Sequence, residues 1–293
     1  MGFFNYLRLK VLAVIVRFLF RLSKGAIRTS SDKTLQIKSR DAKRTIKIFE
    51  YNAAPPTLPQ QPGPVLINLH GSGFILPMHG EDEEFCRFVT QKTGYTVLDV
   101  QYRLAPENPF PAAVEDVEDV VQYVLSRPEA FDPKRIAISG FSAGGNLALV
   151  GAALLPQDTF KCVLAFYPVT DISIEPAEKK TPDPVFHGMP PSIARLFNEC
   201  YLQGTDPKDP RVSPAFADFN TFPKDVMIIT CAGDNLAIEA EELAGKIHEA
   251  GKHVVVRRIS GVAHAWDKSP KKTEVQQRGV DEAYGLAVEM LNA

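Results

Sequence analysis

Cysteine is scarce and scattered in this chain. There are four, Cys86, Cys162, Cys200 and Cys231, with no Cys-x-x-Cys pair and no zinc-type spacing. Such a pattern excludes a disulfide framework and points to no metal, so neither metal nor organic cofactor is expected. Cys162 and Cys231 fall in apolar, strand-like runs and read as buried free thiols, which favours a reducing, cytoplasmic setting. Neither sign of charge dominates: 33 Lys and Arg stand against 35 Asp and Glu, a net charge of −2. With no basic block and no acidic tail, nucleic acid is not an expected partner. No apolar run approaches the ~20 residues of a spanning helix. Internal repeats and low-complexity tracts are also missing. What remains is 293 residues, 45% hydrophobic, enough to bury the core of one large α/β domain.

The N-terminus is the compositional oddity. Met1 to Leu22 is rich in Phe, Leu, Val and Ile but interrupted by Arg8, Lys10, Arg17 and Arg21, and its longest uncharged stretch is Val11 to Val16. Arg17 also spoils it as a signal peptide. On a helix, Lys10, Arg17, Arg21 and Lys24 share one narrow face and the rest is apolar. Two readings stay open: a helix packed on its own domain as part of a cap that lines the acyl pocket, or a helix lying on a membrane surface through residues 1–24.

Downstream, strand-like and helix-like segments alternate. Strands are expected at Thr45–Tyr51, Val65–His70, Tyr95–Val100, Arg135–Ser139, Phe160–Tyr167, Val226–Cys231 and His253–Ile259. A Pro-rich turn, Pro55 to Pro64, separates the first two. Helices are expected at Glu81–Thr93, Ala112–Ser126, after Gly140, at Leu236–Ala250 and from about Thr273. This alternation implies a mainly parallel, doubly wound sheet with helices on both faces. Asp171 to Asn220, rich in Pro and Asp, breaks the alternation and reads as an insertion.

Gly140-Phe141-Ser142-Ala143-Gly144-Gly145 sits between an apolar strand and an apolar helix. Gly-x-Ser-x-Gly in that setting is a nucleophile elbow: a strained turn that lifts the serine hydroxyl out of the sheet and aims a helix N-terminus at the same point. A serine hydroxyl needs a base. His264, in Gly261-Val262-Ala263-His264-Ala265-Trp266, follows a strand and therefore sits at the same sheet edge. His70 precedes the elbow, and His79, His187, His248 and His253 fall in loop, insertion, helix and strand, where structural or solvated roles are the default. The orienting acid is read as Asp234, after the strand ending at Cys231, with Glu239 in reserve; helix N-capping is the ordinary alternative for Asp234. The order Ser142, Asp234, His264 is the α/β-hydrolase order. His70-Gly71-Ser72-Gly73-Phe74 follows another strand, so the backbone N–H groups of Gly71, Ser72 and Gly73, with that of Ala143, are candidates for an oxyanion hole.

These motifs together resemble the hormone-sensitive lipase family of α/β-hydrolase carboxylesterases, from about Val65 to Trp266. The loop at His70 is similar to its His-Gly-Gly-Gly element. Tyr102-Arg103-Leu104-Ala105-Pro106-Glu107, Phe110-Pro111-Ala112-Ala113 and Ser213-Pro214 match further family stretches. Two departures stand out. Ser72 replaces a glycine, its hydroxyl becoming a further candidate donor, and Phe141 replaces the aspartate usual before the nucleophile.

The resemblance implies a single α/β-hydrolase domain over 1–293, with a helical cap from about 1–30 plus the insertion at about 171–220. It implies hydrolysis of a small or medium acyl ester by a Ser-His-Asp triad, with Phe74, Phe141 and Trp266 as substrate-contacting aromatics. A lactonase, an amidase or a deacetylase on a secondary metabolite is the alternative chemistry, and a catalytically inactive small-molecule receptor the alternative class. The expected partner is a small-molecule ester, and a homodimer is left open.

Overall fold

A computed structural model describes residues 2–25, 27, 29–53 and 62–293. The Pro-rich turn expected at Pro55 to Pro64 lies, as far as residue 61, outside them. The strands are β1 (Lys33–Lys38), β2 (Thr45–Tyr51), β3 (Gly63–Leu69), β4 (Thr96–Gln101), β5 (Phe131–Phe141), β6 (Cys162–Phe166), β7 (Asp225–Gly233) and β8 (His253–Ala263). The helices are α1 (Phe3–Lys24), α2 (Glu83–Thr93), α3 (Ala112–Leu125), α4 (Ala143–Leu154), α5 (Pro191–Leu202), α6 (Ala237–Glu249) and α7 (Glu274–Asn292). The strands form one sheet in the order β1-β2-β4-β3-β5-β6-β7-β8. β2 runs antiparallel to both of its neighbours, β1 and β4, and every other neighbouring pair is parallel. β1, whose charged and polar residues hide its alternation, is the strand that apolar patterning does not reveal.

The central strands are apolar on both sides because both faces of the sheet are covered. All five residues of β6 are buried, and so is β5 from Ile136 to Phe141. On one face Val117, Val120 and Val121 of α3, Leu147 of α4 and Leu243 and Ile247 of α6 pack with Ile67, Leu98 and Ile138. On the other, Phe85 and Val89 of α2 and Val280, Tyr284 and Leu291 of α7 pack with Leu66, Phe166 and Ile229. Each fully buried aliphatic or aromatic side chain of this kind contributes about 1.5–3 kcal/mol. α4 is buried at ten of its twelve positions, so it is apolar all round.

Local chemistry sets the helix ends. Gly94 closes α2 in the left-handed region at φ 73°, and Thr273 opens α7 with a reciprocal capping box to Gln276. α1 lies across α5. Leu9 and Ala13 are buried with Ile75, Ala105, Phe197 and Cys200. Arg17, the residue that interrupts the apolar N-terminus, is the clasp. Its guanidinium donates to the Ile75 carbonyl (2.8 Å), to the Ala105 carbonyl (2.8 Å) and to both oxygens of Glu107 (2.9 and 2.8 Å).

Candidate active site

The carboxyl ends of β3, β5, β7 and β8 converge, the edge at which parallel α/β sheets hold ligands. Ser142 stands between β5 and α4 at φ 53°, a left-handed conformation that a residue with a side chain adopts only under constraint. Two glycines make room for it. A Cβ on Gly140 would sit 2.2 Å from the Gly144 carbonyl oxygen, and one on Gly144 would sit 1.9 Å from the Leu69 carbonyl oxygen. Strand, elbow and helix are therefore in backbone contact, which is why the Gly-x-Ser-x-Gly pattern is needed here.

His264 follows β8 and Asp234 follows β7. His264 Nε2 is 3.0 Å from Ser142 Oγ, and its Nδ1 is 2.6 Å from Asp234 Oδ2. The other Asp234 oxygen accepts the Leu236 N–H at 3.1 Å, so the carboxylate is fixed by the start of the next helix while it faces the imidazole. Asp234 is not the N-cap of α6, which is Leu236; its carboxylate is steadied by the N–H two residues on while it faces the imidazole. Burial works against the imidazolium of His264, but the Asp234 carboxylate outweighs it and raises the pKa above the ordinary imidazole value. Tyr167 packs edge-on to the imidazole, 4.8 Å between ring centroids.

The loop after β3 runs alongside Ser142. A Cβ on Gly71 would lie 3.4 Å from the Phe141 carbonyl and 3.6 Å from Ser142 Cβ. Gly73 takes φ 53° and Phe74 φ 63°, bringing Gly73, Phe74, Ser142 and Ala143 onto one pocket wall. Gly71 and Ser72 lie behind that wall. Tyr102 donates its only hydroxyl proton to the His70 carbonyl (2.6 Å). Ser72 Oγ, 2.7 Å away, must then give its own proton to Tyr102 while accepting the Phe74 N–H at 2.8 Å. Its hydroxyl is occupied in bracing the loop and is not the extra oxyanion donor that the sequence suggested. His70 is buried, stacked on Tyr102 at 4.4 Å, with Nδ1 2.9 Å from the Gly71 carbonyl. Burial first, then neighbouring His79, pushes its pKa down, so it braces the loop as a neutral ring.

The pocket encloses about 540 Å³ of non-protein space, part of it open to solvent. Besides the residues above, Val169, Pro176, Lys179, Met189, Ala194, Phe197 and Asn198, nearly all from the insertion, line it. No α1 residue does; α1 reaches the site through α5, whose Phe197 lines the pocket. Two expected substrate contacts are corrected. Phe141 is completely buried and stacks on Phe166 at 4.5 Å. Trp266, only 2% exposed, packs against Tyr167. Both side chains point into the core: Phe141 ends β5 and faces away from the adjacent Ser142, and Trp266, two residues after His264, is turned inward beyond Ala265, which takes a left-handed φ of 58°. Phe74 does line the pocket and stacks on Tyr201 at 3.8 Å.

Glu239 has a different role from the one held in reserve. Its carboxylate accepts the Thr170 and Asp171 N–H groups (2.9 and 3.3 Å) and pairs with Lys179 Nζ at 2.5 Å, pinning the insertion to α6. Sequence reasoning also missed a buried cluster beneath the Ser142 turn. Lys268 Nζ meets Asp82 (2.7 Å) and Asp267 (2.9 Å) and lies 3.4 Å over the Phe141 ring. Burial opposes its charge, but the two carboxylates outweigh this and raise its pKa. Asp267 in turn accepts the hydroxyls of Tyr167 (2.6 Å) and Tyr284 (2.9 Å). Phe141 thus offers Lys268 an aromatic face where the family usually has an aspartate.

The family profile described as alpha/beta hydrolase fold matches residues 66–268, more than half of the chain. The chain belongs to this family, in its hormone-sensitive lipase-like branch of carboxylic ester hydrolases. Among curated relatives it is similar to the carboxylic ester hydrolase LipN of Mycobacterium tuberculosis, 31% identical over 69% of this chain and 57% of that protein's length. It is 28% identical to an ethyl acetate hydrolase of Pseudomonas putida, over 78% of this chain and 74% of that one. Among solved structures, a hyperthermophilic esterase from the archaeon Pyrobaculum calidifontis superimposes with a TM-score of 0.79 at 27% identity, covering 100% of this chain and 99% of its own.

Proposed function

We propose that this chain hydrolyses short-acyl carboxylic esters through Ser142, His264 and Asp234. The observation that carries this is the unbroken relay that starts on the pocket wall: Ser142 Oγ, His264 3.0 Å away and Asp234 2.6 Å beyond. His264 Nε2 takes the serine proton as Ser142 Oγ attacks the ester carbonyl. Asp234 holds the proton on Nδ1 and stabilises the imidazolium that forms. The developing oxyanion is received by the N–H groups of Gly73 and Ala143, neither of which is bonded to another described residue. The imidazolium then protonates the leaving alcohol, and water repeats the steps on the acyl-enzyme. α1 and the insertion act as the cap.

A short acyl group is favoured by the bulk of Phe74, Met189 and Phe197 on the pocket wall. Relatives that bear the names ethyl acetate hydrolase and acetyl-hydrolase support the same size class. The test is turnover of p-nitrophenyl esters from acetate to dodecanoate by the wild type and by Ser142→Ala. The expected result is highest kcat/KM at acetate to hexanoate and a loss of at least about 1,000-fold in the variant. Comparable turnover by the variant would overturn the proposal.

A further inference from the structure

α1 is held from one side only. Its inner face is fixed by Leu9, Ala13 and the Arg17 clasp, and the opposite face is bare. Phe4, Leu7, Val11, Val14, Phe18 and Leu22 recur at three- and four-residue intervals and are 47–85% exposed. They form one continuous apolar stripe along about five turns, the kind of exposed patch that marks an interaction site.

The charges beside the stripe identify what it meets. α1 carries five cations and no carboxylate. Arg8, Arg17 and Lys24 are neutralised by Glu199, Glu107 and Glu81. Lys10 and Arg21 pair with no carboxylate among the described residues, and both are exposed. Eleven residues apart, they fall on one line at the edge of the stripe. A symmetric contact between two copies of this face would bring both pairs of cations together with no acid on either helix to meet them. A surface of apolar chains under anionic headgroups satisfies both features. No helix of the described residues is long and apolar enough to cross a membrane, so the contact is with the surface.

We propose that α1 is an in-plane anchor for anionic bilayers. Its outer stripe enters the boundary between headgroups and acyl chains, and Lys10 and Arg21 meet the lipid phosphates. On its inner side α1 packs on α5, whose Phe197 lines the pocket.

Co-sedimentation of the full chain with vesicles tests this, using phosphatidylcholine alone and phosphatidylcholine mixed with phosphatidylglycerol. The wild type should partition at least about tenfold more strongly into the mixed vesicles, and added salt should remove that preference. Leu7→Ser/Val14→Ser/Phe18→Ser should lose binding to both by roughly 100-fold. Lys10→Glu/Arg21→Glu should lose about tenfold on the mixed vesicles and little on the neutral ones. Both variants should melt close to the wild type, since the replaced side chains lie on the outer face and make no hydrogen bond or ion pair with another element among the described residues. A wild type that stays in the supernatant with the mixed vesicles overturns the proposal. So does a serine variant that still pellets with them. A wild type that sediments alone as a dimer, made monomeric by the serine substitutions, assigns the face to a second copy and overturns it too.

Discussion

Replacing Asp234 by Asn isolates the tautomer step of the proposed mechanism. One Asp234 oxygen accepts the Leu236 N–H at 3.1 Å and the other faces His264 Nδ1 at 2.6 Å. An Asn of the same shape keeps the first contact by leaving its carbonyl oxygen there, which turns its NH₂ toward Nδ1. Nδ1 must then accept, so the ring proton moves to Nε2, the atom that has to take the proton of Ser142. The base is disabled without any movement of heavy atoms. Turnover of p-nitrophenyl butyrate should fall by about 1,000- to 10,000-fold, or 4–5.5 kcal/mol of barrier, with little change in KM. The pH profile supplies a second readout. Because Asp234 raises the His264 pKa, the acid limb of wild-type kcat/KM should lie above the ordinary imidazole value of about 6.5. In the Asn variant the residual activity should have its acid limb at lower pH. The linkage to stability has the same origin. A group raised in the folded state stabilises fully below its unfolded pKa, and that contribution is lost as pH rises through the folded value. A folded Asn variant that retains more than a tenth of wild-type turnover refutes the reasoning, as does an unmoved acid limb.

Glu239→Gln should leave kcat within about threefold. Removing one partner of the buried Lys179 pair should, however, lower stability by roughly 3–5 kcal/mol in a denaturant melt. Phe141→Ala should cost about 3–5 kcal/mol by the same measurement while leaving KM across acyl lengths unchanged, because the ring is in the core and not in the pocket. Gly73→Ala should lower kcat by roughly 100-fold or more in a p-nitrophenyl acetate assay, since its Cβ would lie 2.2 Å from the Phe197 ring in a left-handed turn that carries a proposed oxyanion donor.

Much of the site could be read from the chain because it is encoded in short, contiguous patterns. The elbow glycines are dictated by neighbouring backbone that an added Cβ would approach to 1.9 and 2.2 Å, and the small-residue loops around Asp234 and His264 follow strands whose apolar runs are unmistakable. What stayed hidden depends on direction and on distant partners. Phe141 and Trp266 lie one and two residues from Ser142 and His264 in sequence, and only the local geometry sends their rings into the core. The Lys268 cluster draws Asp82, Tyr167 and Tyr284 from separate elements, so no local pattern announces it. Glu239 reads as an ordinary helix residue until Lys179, sixty positions earlier, is brought against it. Arg17 looked like an interruption of an apolar run because the carbonyls it clasps belong to loops 58 and 88 residues away.

The central claim, that Ser142 is a nucleophile activated by His264, is tested most directly by covalent labelling. The wild type is incubated with a p-nitrophenyl phosphonate, and the modified peptide is located by mass spectrometry. One phosphonyl group per chain should appear, on Ser142, with p-nitrophenol released in equal amount and activity lost in proportion. His264→Ala should suppress the labelling rate by about 1,000-fold or more. Modification of a different serine, or labelling of Ser142 at an undiminished rate without His264, would contradict the account.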